Sequence, residues 1–313
     1  MLDFEGPIEE LQNRIQGLKL LPPGEKSKTK EEIQRLEEKC RRKISELYRH
    51  LTPWQKVLVA RHPERPKTKD YIARMMERFV PLAGDRCFAE DLAITVGIAW
   101  FRGHPLMVIG HEKGDDTQER IRHNFGMPHP EGYRKALRSL ELAERFHLPV
   151  VTFVDTPGAY AGFGAEERGQ GEAIARCIEK SLMLSVPILT FIIGEGGSGG
   201  ALALATANHI TMLEHSVYSV ISPEGCASIL WRTNEKKEEA AKALKLTAQD
   251  LLSWNIIDEI IREPMGGAQR NRMATIDAIA DALERQLSFF AGKAHLKQHR
   301  REKFLAMGRI AEK

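Results

Sequence analysis

Two glycine-rich stretches hold the residues best suited to chemistry. In the first, Asp155-Thr156-Pro157-Gly158-Ala159-Tyr160-Ala161-Gly162, the proline stiffens a turn and Gly158 lets other backbone approach closely. In the second, Gly194-Glu195-Gly196-Gly197-Ser198-Gly199-Gly200, the glycines leave amides uncovered just before a short helical pattern from Ala201 to Ala207. Amides at a helix N-terminus, with the helix dipole behind them, can hold a negatively charged oxygen. Each stretch follows a continuous apolar run, Pro149 to Val154 and Pro187 to Ile193, of the kind that forms a buried strand. Both therefore sit at the carboxyl end of a strand, where α/β proteins bind ligands. Two such loops facing each other would make an oxyanion hole from main chain alone.

Other readings of these residues compete. Glycine-rich strand-to-helix turns also serve only to pack a helix on a sheet. Gly194-x-Gly196-x-x-Gly199 fits a dinucleotide fingerprint, with Glu214 near the place of a ribose-binding acid, although the helix before His209 is short for a βαβ unit. Gly196-x-Ser198-x-Gly200 fits a serine nucleophile elbow, for which Asp258 and His295 are the formal partners, His295 lying in a basic tail. Gly200 stands where a Walker A loop needs lysine. The adjacent carboxylates Glu166 and Glu167 read as solvated or salt-bridged rather than as an acid pair, and His111, His123 and His129 have no metal-ligand spacing. No metal is expected in this chain.

The elements that must position the loops follow from periodicity. Ala93 to Phe101 and Pro105 to Gly110 are β-rich runs joined by Arg102-Gly103, a hairpin. Tyr133, Ala136, Leu137, Leu140, Ala143 and Phe146 mark a helix before the first loop, and Ile174, Cys177, Ile178, Ser181 and Leu182 mark another before the second. Strands near Ile210 and Val217 follow, and beyond residue 225 the pattern is mostly helical, including Ile276, Ile279, Leu283 and Leu287. Strands alternating with helices imply an α/β chain with parallel pairing. Ahead of this, Phe4, Ile8, Leu11, Ile15 and Leu18 form one helical stripe, Leu21-Pro22-Pro23-Gly24 breaks it, and Ile33, Leu36, Cys40, Ile44, Leu47 and Leu51 form a second. This arm could pack on the core or on another chain. The organisation expected is residues 1–24 as helix and linker, 25–292 as one domain including the arm, and 293–313 as a basic surface tail.

Composition sets the remaining bounds. The 313 residues are 42% hydrophobic and 28% charged, enough for one core, and 46 basic against 43 acidic side chains leave a net charge of +3. That balance gives no reason to expect nucleic acid or an anionic membrane surface as partner. Cys40, Cys87, Cys177 and Cys226 form no CxxC pair and read as reduced thiols of a cytoplasmic protein. An acidic start, with no long apolar run, is unlike a signal peptide or membrane span.

Several longer runs carry a resemblance. Gly84-Asp85-Arg86, Ile109 to Gly114, Asn124-Phe125-Gly126-Met127-Pro128, Pro130 to Ala136, Asp155 to Tyr160, Gly164 to Gln170, Gly194 to Ala201 and Ser219 to Ala227 occur in order. Together they closely resemble the alpha subunit of bacterial acetyl-CoA carboxylase carboxyltransferase, from the first helix to about Asn271. Ala161 departs from the family pattern, where proline follows the tyrosine. The resemblance implies a crotonase-like fold, a spiral of ββα units, and transfer of a carboxyl group from carboxybiotin on the biotin carboxyl carrier protein to acetyl-CoA. It implies a beta subunit with a four-cysteine zinc ribbon in an α2β2 assembly, and biotin carboxylase as a further partner. Gly158, Ala159, Gly199 and Gly200 are then the residues expected to offer amides to the biotin ureido oxygen.

Overall fold

The computed structural model describes residues 2–20 and 23–308, the side chains of 23–28 excepted. Leu21 and Pro22 of the linker, and residues 309–313 of the tail, lie outside the described residues.

The chain opens with a helical hairpin, α1 (Gly6–Lys19) and α2 (Pro23–Arg49). Its two apolar stripes face each other: Ile8 and Ile15 pack with Leu36, Cys40, Ile44 and Tyr48, and Val59 of α3 (Pro53–Ala60) closes the cluster. The root of this arm is pinned to the body by Glu5, which accepts from Tyr48 at 2.9 Å and from Arg270 at 2.6 Å. Thr52 caps α3, receiving the Gln55 amide while the Gln55 side chain receives the Thr52 amide. The helix α4 (Thr68–Met75) and the edge strand β1 (Arg78–Pro81) follow.

Strands β2 (Ile94–Phe101) and β3 (His104–His111) form the expected antiparallel hairpin. After the short α5 (Thr117–Arg122) and the longer α6 (Pro130–Arg145), β4 (Val150–Thr156) joins β3 in parallel. The next segment is α7 (Phe163–Glu167), α8 (Gln170–Met183) and β5 (Ile188–Gly197), again parallel. Then come α9 (Ser198–Ala205), β6 (His209–Leu213), β7 (Val217–Ser219), α10 (Pro223–Trp231), α11 (Lys237–Leu244), α12 (Ala248–Ser253), β8 (Glu259–Ile261), α13 (Arg272–Phe290) and α14 (Leu296–Ala306). Among the described residues one eight-stranded sheet runs β1-β2-β3-β4-β5-β6-β8, with β7 also paired to β5.

Apolar layers cover both faces. Tyr133, Ala136 and Leu140 of α6 and Cys177 of α8 pack with Ile109, Val154 and Ile192 on one side. Ile276, Ile279 and Leu283 of α13 pack with Val108, Phe153 and Phe191 on the other. The alternation of β4 between these layers explains why its seven residues are all buried. The basic tail is docked: α14 seats Leu296 on the core and buries Arg300, which donates to the Val186 carbonyl, to Leu184 and to Asn208. One guanidinium satisfying two main-chain carbonyls and an asparagine side chain has no signature in a run rich in Lys and Arg.

Candidate functional site

Strand β5 changes partner midway. Leu189 to Ile192 pair with β6, whereas Glu195 to Gly197 pair with β7, and against β4 the register slips between Val154 and Thr156. The break leaves main-chain groups near Ile193 and Glu195 without strand partners, and side chains replace them. Arg65 donates to the Ile193 carbonyl through Nε at 3.2 Å and Nη2 at 2.9 Å. Asp155 accepts the Glu195 amide at 2.9 Å. A Cβ on Gly194 would stand 2.3 Å from the Asp155 carboxylate, so only glycine fits beneath it.

The slip lifts both glycine loops onto the same end of the sheet, where they touch. Gly158, at φ +148, lies against Ser198, and a Cβ on Gly197 would stand 2.1 Å from the Pro157 carbonyl oxygen. A Cβ on Gly200 would meet the Ala159 amide nitrogen at 2.6 Å. The structure thus brings Gly158, Ala159, Gly199 and Gly200 together. They are not equivalent. The Gly158 amide already donates to Thr156 Oγ1 at 3.0 Å, and Thr156 donates back to the Gly158 carbonyl at 2.8 Å, so this residue shapes the turn. The Ala159 amide makes no hydrogen bond among the described residues. Gly199 and Gly200 lie in the first turn of α9, whose N-cap is Gly197 and carries no capping side chain.

An ionic cluster supports the loops from behind. Lys113 reaches Asp155 at 2.7 Å and Glu195 at 2.9 Å, and Arg61, the C-cap of α3, reaches the other oxygen of Glu195 at 2.6 Å. Burial opposes the charge on Glu195, but Lys113 and Arg61 outweigh it and hold its carboxyl below the ordinary range. Burial likewise opposes the Lys113 ammonium, and Asp155 and Glu195 reverse that and raise it. Nearby, Arg65 and Glu263 form a buried bidentate pair at 2.8 Å, which holds Glu263 down at about 2 against its burial. Sequence reading missed Arg61, Arg65, Lys113 and Glu263 as parts of the site. The Thr52-Pro53-Trp54-Gln55 start signal could have placed α3, and with it Arg61.

Two polar groups near Gly200, the Tyr133 hydroxyl and the His111 ring, are buried with no hydrogen-bond partner among the described residues. Burial and the Lys113 charge push His111 down to about 3, the backbones of Phe153 and Gly200 acting in the opposite sense. A neutral imidazole is the state that fits this place.

In front of α9 an apolar cleft of about 430 Å³ is lined by Ser198, Gly199, Leu202, Tyr218, Val220 and Ile256. Amides at the rim of an apolar cleft, with no charged side chain in its lining, suit a neutral group that gains negative charge on an oxygen.

The rival motifs do not assemble. Asp155 places a carboxylate directly against Gly194, where a dinucleotide fingerprint needs room for pyrophosphate, and Glu214 is spent on the Glu263 amide at 3.1 Å. For a hydrolase, Asp258 binds the Ile210 amide and His295 precedes Leu296, whose carbonyl is held by Asn208. Ile210 pairs with Thr190, eight strand positions before Ser198, roughly 25 Å away along β5. Among the described residues no group of three His, Cys, Asp or Glu side chains could hold a metal ion.

Comparison with known proteins gives the family and the fold. A family model for acetyl co-enzyme A carboxylase carboxyltransferase-like proteins matches residues 1–308. The acetyl-coenzyme A carboxylase carboxyl transferase subunit alpha of Paracoccus denitrificans is 56% identical over 310 residues, 98% of each chain. The subunit of the same name from Xanthobacter autotrophicus is 56% identical over 313 residues, again 98% of each. Among solved structures, transcarboxylase 12S superposes with a TM-score of 0.59 at 18% identity, covering 74% of this chain and 42% of that one. A Pseudomonas malonate decarboxylase hetero-tetramer in complex with coenzyme A gives 0.56 at 16% identity, covering 66% and 84%. The structural likeness is one of fold, and the crotonase-like fold expected from the sequence is the fold observed. The family match over residues 1–308, with 56% identity to a curated relative along 98% of both chains, places the chain in the acetyl co-enzyme A carboxylase carboxyltransferase-like family.

Proposed function

We propose that this chain is the alpha-type half of a biotin-dependent carboxyltransferase, acting on acetyl-CoA to give malonyl-CoA for fatty acid synthesis. The observation that carries the reading is the contact of the two glycine loops, Ala159 against Gly200, next to Ser198 and Gly199, which line an apolar cleft. Carboxybiotin, delivered on a carrier protein, supplies CO2 and then a ureido group able to take a proton from the acetyl methyl. The amides of Ala159, Gly199 and Gly200 would hold the ureido oxygen as it gains charge, with Gly158 setting the turn. Main-chain donors fit that task because they are fixed in place and neutral. Apolar walls beside the amides would keep water from the reacting carbon.

A second set of donors, for the thioester oxygen, belongs to a beta-type partner carrying a zinc ribbon, in an α2β2 assembly served by biotin carboxyl carrier protein and biotin carboxylase. This accounts for a site that, among the described residues, is built from the main chain of two amide-rich loops. The assembly is cytoplasmic in this reading. Among the described residues no helix is long and apolar enough to cross a membrane.

Co-purification from the native cytoplasm tests this directly. A tightly bound protein containing about one zinc ion per chain is expected, given a four-cysteine ribbon. A stable partner without zinc would overturn the proposed division of labour.

A further inference from the structure

The two loops are joined by one cation. Lys113 lies just past the end of β3, and its ammonium bridges Asp155, the residue before Thr156 and the first loop's turn, and Glu195, the residue before Gly196 in the second. The same Asp155 oxygen that meets Lys113 accepts the Glu195 amide, so the three residues form a closed link across the register slip. The lysine side chain is 18% exposed and the carboxylates are 8% and 10% exposed, which takes the cluster out of the class of weak surface pairs. Its stem has a lane of its own: a Cβ on Gly126, at φ +76, would stand 2.6 Å from Lys113 Cγ. Arg61 balances the far oxygen of Glu195 and continues to Glu224 of α10. Without Lys113, two largely buried carboxylates would face each other across the slip with one cation fewer, and their repulsion acts along the line that separates the loops.

We propose that Lys113 is a positioning residue for carboxyl transfer, fixing the spacing of the two glycine loops so that the Ala159 and Gly200 amides converge on one oxygen. This rests on the function proposed above. The contacts of the Lys113 ammonium are the Asp155 and Glu195 carboxylates. Its effect is carried by Asp155 and Glu195, so it belongs in the rate of the chemical step rather than in substrate affinity.

The test uses the reconstituted alpha–beta complex in the reverse direction, with malonyl-CoA and biocytin as substrates. If the wild-type complex carries out no transfer, the functional reading itself fails. Given wild-type activity, Lys113→Met should lower kcat about 10- to 100-fold, the cost of a misplacement of about 1 Å, with KM for malonyl-CoA within about twofold. Lys113→Arg, which keeps the charge, should recover at least about fivefold of that loss. Lys113→Met/Glu195→Gln removes the excess negative charge and should restore thermal stability without restoring kcat. An unchanged kcat per assembled complex in Lys113→Met would overturn the proposal, as would a double variant that recovers both stability and kcat. Failure of both Met-bearing variants to assemble would also overturn it, because Lys113 would then be needed for folding and not for aim.

Discussion

The amide nitrogen of Ala159 occupies the space that a side chain on Gly200 would need: a Cβ there would stand 2.6 Å from it and 2.9 Å from the Gly158 carbonyl carbon. Both obstacles are main chain and neither can swing aside. Gly200→Ala should therefore push the loops apart and cost about 10² to 10³ in turnover, the scale of one lost oxyanion donor. Gly200→Val should cost at least as much. Melting temperature and partner binding measured beside activity separate this effect from unfolding, and normal turnover in an assembled Gly200→Ala complex would make the second loop merely structural.

Ser198 makes the opposite case. It is exposed and sits at φ +53. Ser198→Ala should leave carboxyl transfer within several-fold of wild type, whereas loss of a serine nucleophile would cost roughly 10⁴-fold or more. Steady-state rates of the two complexes decide between them.

How much of this was visible before the structure depends on the kind of interaction. The stripes led by Ile8 and Leu36, the Arg102-Gly103 hairpin and the strands before each loop were legible, because apolar period reports directly on which face is buried. Strand β8, only Glu259–Ile261, is too short to show a period, and β1 is a largely exposed edge strand. The glycine loops were legible as loops, but that Gly158 spends its amide on Thr156 was not. The link from Lys113 to Glu195 spans 82 residues and depends on a register slip, which no local pattern encodes.

The Arg65–Glu263 pair should dominate stability near the break in β5. Its side chains are 3% and 0% exposed, so Arg65→Met leaves a buried carboxylate and an unmet Ile193 carbonyl. A loss of about 3 to 5 kcal/mol is expected in denaturant unfolding, and Arg65→Met/Glu263→Leu should recover part of it because the uncompensated charge is gone. Equal stability of the single and double variants would count against this account.

His111 should give the fold a measurable pH dependence. Its pKa is about 3 in the folded chain against 6.5 ordinarily, so the unfolded chain binds the extra proton as pH falls. The contribution is fully present above pH 6.5 and is lost progressively toward pH 3. Between pH 6 and 5, wild type should lose more stability per pH unit than His111→Leu, the difference approaching one proton, about 1.4 kcal/mol per unit at the limit. Parallel slopes for the two proteins would place the protonation elsewhere.

The central claim is that this chain holds one of two donor sets and cannot work alone. The measurement that tests it most directly is malonyl-CoA formation from acetyl-CoA and carboxybiotin by the purified chain, before and after adding its beta-type partner. No transfer by the chain alone, and transfer that saturates at one partner per chain, is the predicted result. Full activity of the chain by itself would contradict it.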